Sequence, residues 1–478
     1  MEWTYESVSE TFLSIESKWD LLNRRIDGVC FWEYVRFGIH REILEALELL
    51  GSAHTEKGVT LSERLRGLYL WGRNVVYKSP FFADERDVLF YGHPRRKLRN
   101  DGLWWDLYCD PILDSIDLDY EYIEYDYQLD HASPAKTQNR RFVDVINYSG
   151  TIWKTLNPYD LGQSEVETLR SVESDIERHF GVSVDVVGGV QDALADREAT
   201  LPLYKRLLQN VNPDIAILVV SYGKESFVEA CHEYDIPTVE LQHGTINKYH
   251  MGYSSRGKRA RQTFPDYFLS FGPFWTEQVE LPIDEERIFH VGYPYLEMQA
   301  DTYDGIDSTD SVVFVSQGSI GEQLSKFAVE TSEYLGSKRE VVYKLHPGEY
   351  DRWEDEYPWL VGSDITVIDQ EEPSLYQLFA EASTQVGVYS TAVYEGLMFG
   401  LQTFLVDLPG IEYMRGLLSE PHIQILDRPS DIEKETDTPI SFDTERYFRS
   451  DAIHNVGQAL AEIQSNLDRD HRDTESHG

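Results

Sequence analysis

A lysine and a histidine stand together at the end of an apolar run, in Lys344-Leu345-His346-Pro347. The run is typical of a buried strand, and the proline ends it, so both side chains lie at a strand terminus. A histidine at such a place can hydrogen-bond a phosphate or protonate a leaving phosphate. The alternative is a histidine that only caps the strand end. We predict that Lys344 and His346 contact a phosphate-bearing ligand.

Two further strand ends in the second half of the chain carry small and hydroxylated residues. Residues 316–319, Ser-Gln-Gly-Ser, form a turn before a helix, where backbone N–H groups can approach a phosphate. Ser390 and Thr391 precede another helix, and Glu395, about one turn further on, can accept the hydroxyls of a ribose. The alternative is a plain helix cap with a surface glutamate. We predict a nucleotide site that includes Gln317, Gly318, Ser319, Ser390, Thr391 and Glu395.

A third candidate lies in the first half of the chain, in Gln242-His243-Gly244-Thr245. These residues follow a short apolar run that begins at Pro237. Ligands of open α/β sheets bind beyond the carboxyl ends of the strands, and a glycine lets a ligand approach the backbone. His243 is therefore a candidate ligand contact, with a structural turn as the equal alternative.

Parallel sheets are needed to bring these strand ends together. The apolar runs at 213–221 and 237–241 flank an amphipathic stretch, which makes one strand-helix-strand unit. After a polar linker at 299–311, six strand-like runs alternate with helices. The sequence predicts an α/β protein with two doubly wound, Rossmann-like domains, at 83–298 and 312–430. An N-terminal helical region at 1–82 and a returning helix with an acidic tail at 431–478 complete it.

The chain is acidic along its whole length. Its 478 residues include 84 Asp and Glu against 43 Lys and Arg, a formal net charge of −41. Such a surface favours a halophilic protein, and it excludes nucleic acid as a general partner, since phosphate backbones bind basic faces. Three scattered cysteines, no signal peptide and no membrane-spanning run predict a cytoplasmic protein. No metal site or cofactor is expected.

Residues 60–82 are locally basic and aromatic within this acidic chain, and only Glu63 opposes their positive charge. The segment is typical of an amphipathic helix that could rest on an anionic membrane, which would make the protein peripheral on the cytoplasmic membrane face. The alternative is a surface helix that packs its leucines on the domain. The apolar face consists of Leu61, Leu65, Leu68 and Val75, and the cations are Arg64, Arg66, Arg73 and Lys78.

The motifs occur in a recognisable order. Gln242-His243-Gly244-Thr245 is followed by Val291-Gly292-Tyr293-Pro294, by Lys344-Leu345-His346-Pro347, and by Ser390-Thr391 with Glu395-Gly396. Over residues 210–430 the chain thereby resembles the GT-B transferases of capsule and surface polysaccharides. It is similar to the teichoic-acid glycerophosphotransferases and to the bacterial sialyl- and polysialyltransferases. The Asp/Glu-Asp-Gly motif of sialyltransferases is absent, which puts a sialic acid donor in doubt.

The resemblance implies a GT-B fold, in which an acceptor domain and a nucleotide-donor domain face a cleft. His346, Ser390 and Thr391 would bind the donor phosphate, Glu395 would bind the ribose, and His243 would be the general base. The implied activity is a metal-independent transfer of a sugar, or a polyol-phosphate, from a nucleotide-activated donor to a surface glycan or lipid-linked acceptor. Two alternatives are a non-hydrolysing sugar-nucleotide epimerase and a non-catalytic nucleotide-sugar-binding protein of a glycan assembly complex.

Overall fold

The computed structural model describes residues 3–49, 60–255, 261–433 and 443–476. These residues form two compact units. One is built around a seven-stranded sheet and consists of residues 9–43, 60–255, 261–295 and 449–476. The other is built around a six-stranded sheet and consists of residues 3–8, 44–49, 296–433 and 443–448.

The strands are short and, in the two large sheets, mostly buried. In chain order they are β1 (Val88–Tyr91), β2 (Lys97–Leu98), β3 (Trp104–Trp105), β4 (Tyr120–Glu124), β5 (Arg141–Phe142), β6 (Ile215–Val219), β7 (Thr238–Leu241), β8 (Tyr267–Ser270), β9 (Ile288–His290), β10 (Val312–Val315), β11 (Val341–Lys344), β12 (Thr366–Ile368), β13 (Thr384–Gly387), β14 (Gln402–Val406) and β15 (Ile423–Leu426).

Helices connect these strands and also precede and follow them. They are α1 (Tyr5–Lys18), α2 (Phe31–Ala46), α3 (Leu61–Asn74), α4 (Asp110–Ser115), α5 (Asp144–Leu156), α6 (Gln163–Phe180), α7 (Val186–Val211), α8 (Glu225–Glu233), α9 (Pro273–Glu277), α10 (Pro294–Thr302), α11 (Gly321–Leu335), α12 (Trp353–Glu356), α13 (Leu375–Glu381), α14 (Thr391–Leu397), α15 (Arg415–Leu418) and α16 (Ala452–Ser476).

The seven-stranded sheet is parallel throughout, in the order β5-β4-β1-β6-β7-β8-β9. Apolar side chains project from both faces of this sheet, so each face must be covered by other elements. Leu89 and Leu218 pack on one face with Phe227 of α8. Phe90 packs on the other face with Ile463 of α16, so the last helix completes this unit.

The six-stranded sheet is also parallel throughout, in the order β12-β11-β10-β13-β14-β15. Phe314 and Tyr343 lie in its core with Leu324 of α11. In both sheets the first strand lies inside and the order reverses beside it, which is the doubly wound Rossmann arrangement. The α/β prediction with two Rossmann-like sheets is confirmed, and it is the domain composition that a GT-B fold requires.

The six strand-like runs predicted after the linker are all present, as β10 to β15. β4 was not predicted, because two acids interrupt its apolar pattern. Glu121 and Glu124 are nevertheless buried in it, and Glu124 forms salt bridges with Arg96 and Arg140. Of the predicted linker, residues 299–302 belong to α10, and residues 303–311 have neither helix nor strand.

Candidate functional site

The six-stranded sheet reverses its order at β10, which has β11 on one side and β13 on the other. The carboxyl ends of these three strands lie at one edge, where open α/β sheets bind ligands. The turns that follow them carry Gln317, His346 and Ser390. The fold therefore brings three of the sequence-predicted groups to a single edge.

Side-chain hydrogen bonds connect the first and third of these turns. Gln317 Oε1 accepts a hydrogen bond from the backbone N–H of Tyr389 at 3.3 Å, and the hydroxyl of Ser319 is hydrogen-bonded to the phenol of Tyr389. A Cβ atom at Gly318 would lie 3.5 Å from Arg352 Nη2, an ordinary contact. Packing therefore does not require a glycine at position 318.

His346 caps a short helical turn, and this fixes which ring nitrogen carries its proton. Its Nδ1 accepts a hydrogen bond from the backbone N–H of Gly348 at 3.1 Å, and the backbone N–H of His346 donates to Glu349 Oε2 at 2.7 Å. Because Nδ1 is an acceptor, the neutral ring carries its proton on Nε2. The imidazole is exposed. The cap and a donor role are thus compatible, since they use different nitrogens.

Lys344 is buried, and its ammonium group is hydrogen-bonded to backbone. Nζ donates to the carbonyl oxygens of Gln370 and Pro373. These bonds attach the loop after β12 to β11, which is a structural role. Nucleotide binding by Lys344 stays a prediction.

The groups around α14 have partly structural explanations. Ser390 is the N-cap residue, and its Oγ accepts a hydrogen bond from the N–H of Ala392 at 3.2 Å. Glu395 is half-buried, and its Oε2 accepts a hydrogen bond from the phenol of Tyr376 at 2.9 Å. A Cβ atom at Gly396 would lie 2.2 Å from Gln385 Oε1, so close packing accounts for this glycine. Thr391 is the first residue of the helix.

In the seven-stranded sheet, His243 follows the carboxyl end of β7, and both of its ring nitrogens meet tyrosines. Nε2 lies 3.1 Å from the hydroxyl of Tyr222, which follows β6. Nδ1 lies 3.1 Å from the hydroxyl of Tyr253, and that hydroxyl donates to Glu240 Oε1 at 2.6 Å. The hydroxyl of Tyr108 donates to the carbonyl oxygen of His243 at 2.7 Å, which holds the turn in place.

Burial lowers the pKa of His243 well below its usual value, and the charges of His93, His250 and Lys224 act in the same direction. The ring is therefore neutral at physiological pH and can accept a proton. Tyr222 and Tyr253 could not be predicted as neighbours of His243, because neither belongs to a recognisable motif.

The turn that carries Tyr222 is strained. Val220 has a φ of 66°, which a β-branched residue rarely adopts. The buried ammonium of Lys224 donates to the carbonyl oxygens of Val219 and Val220. Burial lowers the pKa of Lys224 to about 8, and the nearby carboxylate of Glu240 opposes that shift. Lys224 thus holds the strained backbone beside the candidate site.

Helix α2 supports the loop on which Tyr253 lies. The buried guanidinium of Arg36 donates from Nη1 to the carbonyl oxygens of Met251 at 2.6 Å and Ser254 at 2.7 Å. The same group pairs with Glu16, which also accepts a hydrogen bond from Trp32 Nε1 at 2.7 Å. Helix α2, with Trp32 and Arg36, therefore belongs to the support of this site.

Two further clusters of basic residues lie in the loop at 92–99 and in the stretch after Thr245. In the loop at 92–99, Arg96 is buried and pairs with Glu124 at 2.8 Å and Asp110 at 3.0 Å. In the basic patch after Thr245, Arg256, Lys258 and Arg259 lie outside the described residues. Ser164 and Glu167 have the spacing of a capping box but do not form one, because α6 begins at Gln163 with Gly162 as its N-cap.

Helix α3 exposes the face that was expected either to meet a membrane or to pack on the domain. It begins with a capping box of Thr60 and Glu63. The side chains of Leu61, Leu65 and Leu68 are 74%, 58% and 49% exposed, so the packing alternative is wrong. In the part of the chain that the structure describes, no helix has the length and apolar character to cross a membrane.

Within the same described ranges, no cluster of three or more His, Cys, Asp or Glu side chains is placed to hold a metal ion. No known protein family matches the chain, and no curated protein matches it.

Several solved structures match the chain at low sequence identity. A UDP-GlcNAc 2-epimerase from Methanocaldococcus jannaschii is 9% identical, with a TM-score of 0.48, and the match covers 78% of this chain and 99% of the epimerase. The calicheamicin glycosyltransferase CalG4 is 12% identical, with a TM-score of 0.45 and coverages of 81% and 99%. The wall teichoic acid polymerase TagF is 11% identical, with a TM-score of 0.45 and coverages of 85% and 100%. At such identities the function must be argued from the residues themselves.

Proposed function

We propose that the protein is a glycosyltransferase that moves a sugar, or a polyol-phosphate, from a nucleotide-activated donor to a surface glycan or lipid-linked acceptor. The observation that carries the proposal is the different protonation of two histidines at the carboxyl edges of the two sheets. His346 accepts at Nδ1 from a backbone N–H, so its Nε2 is a proton donor. His243 is kept neutral by burial, so it can accept a proton.

On the donor side, the proposal assigns the nucleotide to the turns after β10, β11 and β13. His346 Nε2–H donates to the phosphate, and Gln317, Ser319, Ser390 and Thr391 surround it. Glu395 binds the ribose hydroxyls, as carboxylates do in other Rossmann-like sites. The hydrogen bond from Tyr376 to Glu395 supports this role, because it holds the carboxylate in one orientation.

On the acceptor side, the hydroxyl oxygen of the acceptor attacks the donor carbon, or the phosphorus for a polyol-phosphate. The bond to the leaving phosphate breaks, and its electron pair remains on the phosphate oxygen, where His346 donates a hydrogen bond. The proton of the acceptor hydroxyl goes to His243 Nε2. General-base assistance of this kind contributes about 10²–10⁴ in rate. Because no step uses a metal, we expect turnover to continue in a chelator.

The test is product analysis with and without an acceptor. A panel of CMP, CDP, UDP, GDP and dTDP, screened by thermal shift in high salt, identifies the base of the donor. The matching activated donor is then incubated with the enzyme alone and with glycan or lipid-linked acceptors. Formation of an epimeric sugar nucleotide from the donor alone would instead identify an epimerase. Binding of the nucleotide without any turnover would identify a non-catalytic binding protein.

The proposal includes a peripheral contact of α3 with an anionic lipid surface. Its support is the exposed apolar face of Leu61, Leu65 and Leu68, together with an exposed cation, Arg64. Residues 60–82 carry four cations and one acid, so they are positive in a chain whose net charge is −41. Apolar side chains flanked by positive charge suit an anionic interface. A lipid-linked acceptor would be met at such a surface.

A further inference from the structure

Tyr253 has a single hydroxyl proton but two polar neighbours, and this determines the protonation of His243. The hydroxyl lies 2.6 Å from Glu240 Oε1 and 3.1 Å from His243 Nδ1. The shorter contact has the geometry of a charge-assisted hydrogen bond, so the hydroxyl of Tyr253 donates its proton to the carboxylate of Glu240. The phenolic oxygen can then only accept from Nδ1. His243 must carry its own proton on Nδ1, and Nε2 presents a lone pair.

The hydroxyl oxygen of Tyr222 lies 3.1 Å from His243 Nε2. With the ring in this tautomer, the Tyr222 hydroxyl donates a hydrogen bond to the Nε2 lone pair. It marks the position from which a hydroxyl group can give up a proton to the ring. Glu240, Tyr253 and His243 all lie within the seven-stranded unit, and Glu240 and Tyr253 are completely buried. The pattern therefore does not depend on solvent or on a surface side chain.

We infer that Tyr253 and Glu240 are positioning residues that hold His243 in the Nδ1–H form and stabilise its protonated state through a Glu240–Tyr253–His243 relay. The inference rests on the proposed function for its catalytic part only. When Nε2 takes the acceptor proton, the ring becomes an imidazolium whose Nδ1–H remains bonded to Tyr253. The carboxylate at the far end of the relay then offsets the new positive charge.

Such support is needed because the surroundings of His243 oppose a positive charge. Burial disfavours the imidazolium, and His93, His250 and Lys224 face the ring with further positive or potentially positive groups. Glu240 is the acid whose hydrogen bond reaches the ring through a tyrosine. Burial raises the pKa of Glu240, while Ser221, Tyr253 and Lys224 counteract this shift. Lys224 therefore favours the carboxylate form that the relay needs.

The direct test is the tautomer of His243, read from ¹⁵N chemical shifts of histidine-labelled protein. The His243 signals are assigned by comparison with His243→Gln. We expect a protonated Nδ1 and an unprotonated Nε2 in the parent protein. In Tyr253→Phe the acceptor of the Nδ1 proton is lost, so the signals should shift toward a mixture of tautomers. A parent ring protonated on Nε2 would overturn the inference, since Tyr253 would then donate to the ring.

Kinetics test the catalytic part. A hydrogen bond to a charged group is worth about a 10- to 150-fold change, so Tyr253→Phe should lower kcat by roughly that factor and leave nucleotide affinity unchanged. Glu240→Gln should keep the Nδ1–H tautomer, because its carbonyl still accepts from Tyr253, yet lower kcat by removing the negative charge. Loss of this charge also lowers the pKa of His243. The acidic limb of the pH–rate profile, on which kcat rises as the ring loses its proton, should therefore move to lower pH.

The matched control is Tyr204→Phe, which removes another buried tyrosine hydroxyl from the same unit, one bonded to Asn147 at 3.0 Å. Equal losses of kcat in Tyr204→Phe and Tyr253→Phe would refute the relay as a catalytic device. If the parent enzyme transferred nothing to any acceptor while the tautomer behaved as expected, the proposed function would fail and the relay would stand as a structural fact.

Discussion

His346 allows its structural and its proposed chemical role to be separated by two substitutions. Asparagine places a side-chain oxygen near the position of Nδ1, so His346→Asn can still accept from the N–H of Gly348 and cap the turn. Glutamine places an amide N–H near the position of Nε2, so His346→Gln can still donate to a phosphate. Each variant thus keeps one of the two functions of the ring.

The expected magnitudes differ in the two measurements. A hydrogen bond from His346 to a charged phosphate is worth ~1.5–3 kcal/mol, so its loss in His346→Asn should weaken nucleotide binding roughly 10- to 150-fold. Loss of a cap costs about 0.5–2 kcal/mol, so His346→Gln should lower the stability of the unit by an amount of that order. His346→Ala should show both effects.

The assay is calorimetry with the best nucleotide of the panel, in high salt, beside urea denaturation of each variant. Affinity should follow the order parent, Gln, Asn, and stability should follow the order parent, Asn, Gln. If Asn bound nucleotide as tightly as the parent, the donor role of Nε2 would be refuted and His346 would be only a cap.

Three further outcomes are expected. The melting temperature should rise between about 0.1 M and 2 M KCl, because salt screens the self-repulsion of a −41 chain; a constant value would contradict the halophilic reading. Arg36→Leu leaves Glu16 as a buried uncompensated charge and should cost about 3–5 kcal/mol in urea denaturation; adding Glu16→Leu should recover part of this, and a double variant no better than the single one would point to another cause. The triple variant Leu61→Gln, Leu65→Gln, Leu68→Gln should no longer sediment with anionic liposomes, unlike a control with Ile306, Val361 and Ile425, which are also exposed, changed to Gln; equal sedimentation of the two triples, or equal binding to neutral vesicles, would leave α3 without a lipid role.

The fold could be predicted because its parallel strands are apolar on both faces. Such runs are visible in the sequence, and turn residues mark their ends. β4 escaped prediction because its two buried acids are compensated by cations that lie elsewhere in the chain, in the loop at 92–99 and at Arg140. Compensation between distant residues leaves no local pattern.

The candidate site could be predicted as far as its motifs reach. His243 and His346 lie at strand ends, as expected, since a strand terminus is recognisable from the turn residues after it. Their tautomers were not predictable, because these depend on Gly348 and Tyr253, whose positions follow from three-dimensional packing. The apolar face of α3 could be recognised, whereas its exposure could not, because helical spacing does not say which face is covered.

Residues 3–8 belong to the six-stranded unit and residues 9–43 to the seven-stranded unit, which has a practical consequence for dividing the protein. In the six-stranded unit, the ring of Tyr5 lies 3.9 Å from that of Tyr413, which stacks at 5.4 Å on Tyr389 beside Ser319. In the seven-stranded unit, Arg36 donates hydrogen bonds to two backbone carbonyl oxygens of the loop that contains Tyr253. A shortened protein that began at residue 83, the predicted start of the first Rossmann-like domain, would contain every predicted catalytic side chain. It would nevertheless lack Tyr5 and Arg36, which support the loops near those side chains. Loss of activity in the shortened protein would therefore say nothing about the catalytic side chains themselves.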